Sequence, residues 1–106
     1  MTQADYDTIT QELMGLAADI EAAKRPGYTM GSPDVLANFK RVAQRLGITP
    51  AQAWGTYFLK HIDALVAIMT QPDLPVAEAA PGRFADALNY LRLGYALWAE
   101  DRNRAS

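Results

Sequence analysis

Apolar residues recur along this chain at helical spacing in four stretches separated by turn-forming residues. Tyr6, Ile9, Leu13, Leu16, Ala17 and Ile20 mark one side of a first helix over 6–24, with Thr8, Gln11, Glu12 and Asp19 mostly opposite. At about 100° per residue, Glu21 and Lys24 in its last turn lean toward the edge of the apolar face. Pro26 and Gly27 are expected to stop this helix, because proline lacks the N–H of the ladder and disfavours a helical Arg25 before it. Ser32 as N-cap, Pro33 at the first helical position and Asp34 against the positive end predict a second helix over 33–46. Val35, Leu36, Phe39, Val42, Ala43 and Leu46 form its stripe, leaving Lys40, Arg41, Gln44 and Arg45 as a solvated face.

Gly47 suits a helix stop, and Thr49, Pro50 and Gln52 make a capping box that opens a third helix over 50–70. Trp54, Tyr57, Phe58, Ile62, Leu65, Val66, Ile68 and Met69 fill its apolar arc, and Gln52, Thr56, Lys60, Asp63 and Thr70 its polar stripe. His61 falls between Trp54, Tyr57 and Leu65, so it is expected to be a structural histidine, hydrogen-bonded to a nearby acceptor. Prolines 72, 75 and 81 with Gly82 predict a long loop over 71–82. A fourth helix over 83–101 aligns Phe84, Leu88, Leu91, Tyr95 and Trp98, widened by Ala87, Tyr90 and Leu97, and the tail from Arg102 is expected to fray.

These elements predict an all-α, four-helix bundle-like fold, and 106 residues are enough for one such domain with a modest core. The apolar arcs of the third and fourth helices are broader than that core needs. Each large apolar side chain left in water forfeits roughly 1.5 to 3 kcal/mol, so a homo-oligomer joined through those helices is expected.

Charge and composition narrow the function. Ten Lys and Arg against twelve Asp and Glu leave a net charge of -2, which disfavours general nucleic-acid binding. No cysteine is present, removing thiolate zinc sites and cysteine nucleophiles, and His61 alone has no partners for a triad. The start Met1, Thr2, Gln3, Ala4, Asp5 has no basic region ahead of an apolar run, and polar residues interrupt the long helices, so a cytoplasmic protein without a membrane span is expected. What remains as candidate chemistry is the polar stretch from Lys24 to Phe39, with two glycines, two prolines and Tyr28, together with helix-borne carboxylates Glu21, Asp63 and Asp86. Such carboxylates suit Mg²⁺ bridged to substrate phosphates.

The order of features is an acidic helix end with Lys24, a short loop carrying Tyr28 and Gly31, Asn38-Phe39, Lys60 on a long helix, and Asp86-Ala87-Leu88-Asn89-Tyr90. Over about residues 20–98 it resembles small phage proteins related to the MazG-like, all-α nucleotide pyrophosphohydrolases. The resemblance implies a four-helix core paired across a dimer, with carboxylates presenting Mg²⁺ to the phosphates of a nucleotide. It implies Glu21 and Asp86 as metal ligands, Lys24 and Lys60 as phosphate partners, and Tyr28 and Asn89 as base or ribose contacts. The family's paired carboxylates three residues apart are missing here: Lys24 stands at that spacing from Glu21, and Asn89 from Asp86. The expectation is therefore a nucleotide-binding protein that binds, sequesters or hydrolyses its ligand, with turnover left open. The alternative is a non-enzymatic helical adaptor docking a partner through its aromatic faces. The first requires Tyr28, Lys60 and Asp86 to converge; the second predicts them scattered.

Overall fold

The computed structural model describes residues 1–71, 73 and 80–105, with Arg104 and Ala105 described by their backbone alone. Among these residues the chain is an all-α, bundle-like domain of four helices without a strand: α1 Gln3–Thr29, α2 Ala37–Leu46, α3 Pro50–Thr70 and α4 Ala80–Ala105.

α1 is longer at both ends than the sequence predicts. Thr2 Oγ1 accepts from the Asp5 N–H at 3.1 Å while the Asp5 carboxylate accepts from the Thr2 N–H at 3.5 Å, a capping box that starts the helix at Gln3. Nor do Pro26 and Gly27 stop it. A proline so near the end removes a single ladder bond. Its own carbonyl accepts from the Met30 N–H at 3.1 Å, and the Thr29 hydroxyl donates to the Arg25 carbonyl at 2.9 Å, closing the last turn. The chain reverses at Met30 and Gly31, whose φ of 52° and 82° are both left-handed. Tyr28 consequently rides on a helix and not on a loop.

α2 begins later than expected because Ser32, Pro33 and Asp34 build a turn in place of a cap. Ser32 Oγ accepts from the Asp34 N–H at 3.1 Å, Asp34 Oδ1 from the Leu36 N–H at 2.9 Å, and the Asp34 carbonyl from the Ala37 N–H at 3.2 Å. Two of the cations expected on a solvated face are half-buried ties. Lys40 Nζ lies 2.6 Å from Asp34 and 2.7 Å from Glu100, joining the turn to the end of α4. Arg41 donates to the Tyr28 carbonyl at 3.3 Å and to Asn38 Oδ1 at 3.1 Å, joining α2 to the end of α1.

α3 runs as predicted, with Gly47 at φ 68° and the Thr49–Gln52 box intact in both directions. Among the described residues α4 runs from Ala80, so Pro81 and Gly82, expected in the loop, are helical. The tail expected to fray is helical through Ala105, and the Arg102 guanidinium lies 4.9 Å from the Trp98 ring centroid, one turn away. Pro72 and Pro75 of the expected loop lie outside the described residues.

α4 is the central helix, packed on α1 and on α3, while α2 closes against α3. The core gathers Leu36, Phe39, Ala43, Ala53, Leu93 and Leu97. Where α3 meets α4, Gly94 leaves room for the Trp54 indole, whose Nε1–H donates to the Tyr90 carbonyl at 2.7 Å and whose ring stacks on Phe58 at 5.1 Å. Other apolar residues stay uncovered: Leu91, Tyr95 and Trp98 on α4 are 51%, 70% and 54% exposed, and Leu59, Val66 and Met69 on α3 are exposed as well. No helix among the described residues is long and apolar enough to cross a membrane.

Candidate functional site

All four helices contribute to one partly enclosed cavity of about 80 Å³. α1 supplies Ile20, Glu21, Lys24 and Tyr28; the turn supplies Val35; α2 supplies Asn38 and Phe39; α3 supplies His61; α4 supplies Asp86, Asn89, Tyr90 and Leu93. The extension of α1 past Pro26 is what carries Tyr28 to this cavity, and Arg41 holds that last turn by its carbonyl. A wider groove of about 460 Å³ adjoins it, sharing Glu21, Val35 and Leu93 and continuing past Arg92, Tyr95 and Ala96.

Five of the six residues predicted for the site, Glu21, Lys24, Tyr28, Asp86 and Asn89, line this cavity. Lys60 does not: it is exposed on α3, although its charge reaches the neighbouring His61, so of Tyr28, Lys60 and Asp86, whose convergence nucleotide binding was expected to require, only Tyr28 and Asp86 meet. The charged members are already paired. Lys24 Nζ lies 3.0 Å from Asp86, and Glu21 is gripped at both oxygens, by Arg25 at 2.9 Å and by Arg92 at 2.7 Å. Both carboxylates are largely buried, whereas Lys24 and Arg92 keep more than half of their side chains in solvent. The Asn89 amide donates to the Ala17 carbonyl at 2.8 Å and its oxygen faces Arg92 at 3.5 Å, so this buried side chain ties α4 to α1.

No group of three His, Cys, Asp or Glu side chains among the described residues could hold a metal ion. A Mg²⁺ placed on Glu21 would have to displace two guanidinium contacts, and one on Asp86 an ammonium. This donor set does not fit a protein-built Mg²⁺ seat, which needs free carboxylate oxygens in near-octahedral array.

Sequence reasoning gave Asn38, Phe39 and Tyr90 no ligand contact and made His61 structural. The ring of His61 lies 4.5 Å from that of Tyr90, beside a cluster in which Phe39, Tyr57 and Tyr90 approach at 6.1 to 6.4 Å. Its Nδ1 is buried and has no hydrogen-bond partner among the described residues, where an acceptor contact was expected. The one available signal was its place on the arc shared with Trp54 and Leu65, which indicates burial without showing what the ring meets. Burial pushes the Tyr28 and Tyr90 hydroxyls above their usual range. It also holds His61 below its ordinary value of about 6.5, with the nearby Asp86 carboxylate acting the other way.

This yields a pH dependence of stability. Because the folded pKa is depressed, the unfolded chain takes up the His61 proton first. The contribution is therefore complete above about pH 6.5 and is lost as pH falls through the folded value. Urea titrations at pH 7.5 and 5.5 should show wild type losing more stability than His61→Phe; equal losses would disprove the neutral buried ring.

The chain matches no family model, no curated protein and no solved structure.

Proposed function

We propose that this protein binds a phosphorylated nucleotide, as its resemblance to MazG-like proteins implies, and that it holds the ligand without hydrolysing it. The observation that carries the reading is the convergence of Glu21, Lys24, Tyr28, Asp86 and Asn89, from opposite ends of the chain, on one cavity that opens beside a groove. The enclosed part admits only one end of such a ligand, and the remainder lies outside it beside Lys24. Binding is favoured over turnover because Glu21 is held at both oxygens by Arg25 and Arg92, and Asp86 Oδ1 by Lys24, so neither carboxylate is set up as a general base. Any Mg²⁺ therefore enters with the phosphates of the nucleotide.

Calorimetry with nucleoside mono- and triphosphates tests this. Lys24→Ala is expected to weaken binding about tenfold, the loss of one charge-assisted contact of ~1.4 kcal/mol. Its stability cost should stay below ~1 kcal/mol, because the lysine end of the pair is largely in water. Tyr28→Ala should weaken binding comparably. Absence of binding across the panel, or unchanged affinity in both Lys24→Ala and Tyr28→Ala, would refute the proposal.

The uncovered apolar residues of α3 and α4 support a further element of the reading, self-association into a homo-oligomer through that face. The adaptor alternative assigns the same face to a different protein.

A further inference from the structure

The two ends of the cavity differ in chemistry, and the difference fixes which way a ligand can lie. The enclosed wall holds Phe39, Tyr90 and His61, whose buried Nδ1 lacks, among the described residues, the partner that buried polar atoms almost always have. The largely buried carboxylates of Glu21 and Asp86 also stand in that wall and would repel a phosphate pushed inward. The cations Lys24 and Arg92 stand at the rim, each with 59% of its side chain exposed. Asn89 is no candidate for reading a base, because its amide is already committed to Ala17 and Arg92.

We infer that the ligand enters uncharged end first: the edge of a planar heterocycle meets His61 Nδ1 beside Tyr90 and Phe39, while the phosphates stay at the rim with Lys24. This deepens the nucleotide-binding reading and rests on it, and it moves base recognition from Tyr28 and Asn89 to His61. The ring edge must carry a hydrogen-bond donor next to an acceptor. A neutral imidazole has one protonated and one bare nitrogen, and such an edge satisfies Nδ1 in either tautomer. Every nucleobase has an edge of this kind on its pairing side. Burial keeps the ring neutral, in agreement with this contact; the charges that act on it are Asp86 and Arg83 from α4, Lys24 from α1 and Lys60 from its own helix.

His61 is the sole histidine of the chain, so its imidazole nitrogens give one set of NMR signals. Adenosine and uridine, which carry no phosphate, are expected to shift the Nδ1 resonance, and sodium tripolyphosphate is expected to leave it in place. His61→Phe should weaken nucleoside binding about tenfold without changing tripolyphosphate binding. A tripolyphosphate-induced shift without a nucleoside-induced one overturns the orientation, as does an Nδ1 signal unmoved by a nucleotide that calorimetry shows to bind. That last result would leave the nucleotide reading intact. Nucleosides that shift Nδ1 while 5′-triphosphates bind no better would keep the His61 contact and remove the phosphate part of the function. No response to any of them removes both. The wild-type titration needs no variant to fold, so a poorly folded His61→Phe protein does not blunt the test.

Discussion

Gly94→Ala is expected to lower the melting temperature by about 10 °C, roughly 2 kcal/mol for a domain of this size. A Cβ at this position would lie 2.4 Å from the Trp54 indole, well inside contact distance. The ring is rigid, so it must leave as a unit. It would then give up the 2.7 Å hydrogen bond to the Tyr90 carbonyl and the stack on Phe58. Opposing this, alanine favours a helix interior over glycine by about 1 kcal/mol. The packing loss exceeds that gain, because the indole N–H loses its acceptor as the cross-helix contact opens. A double-mutant cycle separates the two effects. In a Trp54→Leu background, Gly94→Ala should be neutral or stabilising by up to ~1 kcal/mol. If the alanine destabilises both backgrounds equally, the clash with Trp54 is not the cause. The same change should disturb the cavity, since Trp54 bonds to the backbone of Tyr90, whose ring faces His61.

The second large effect concerns assembly. Light scattering at micromolar concentration should report a homo-oligomer, and Leu91→Glu combined with Trp98→Glu should convert it to a monomer. Phe84, Leu91, Tyr95 and Trp98 line one side of α4 from residue 84 to residue 98, about 21 Å of helix, and all are partly or largely exposed. Covering several of them stabilises by roughly 1.5 to 3 kcal/mol for each side chain fully removed from water. Two glutamates in a buried seam would reverse this by placing unpaired carboxylates there. Because these positions face solvent within the protomer, the double variant should retain its helical circular dichroism. A wild-type monomer would refute self-association and leave the stripe to the adaptor reading.

The helical class, the third helix from Pro50 to Thr70 and its capping box were determined by the sequence, because caps and 3.6-residue periodicity act over a few neighbouring residues. Local rules failed where several weak signals competed. Pro26 read as a stop, yet one lost ladder bond near a helix end was outweighed by the Thr29 and Met30 contacts. Ser32 read as a cap, yet its hydroxyl turned to the Asp34 N–H two residues on. Of the candidate site, Glu21 and Asp86 were legible as helix-borne carboxylates, whereas Lys24, Tyr28 and Asn89 were singled out through the family resemblance. Their partners were not legible. Whether a carboxylate meets a metal or a guanidinium depends on what stands across the helix interface, and Arg92 reaches Glu21 over 71 positions of chain. Lys60 has the right charge on the right helix, but the rotation of α3 that puts His61 against Tyr90 leaves Lys60 in solvent. Tertiary packing alone made that choice, because seating Trp54 against Gly94 sets which side of α3 faces α4.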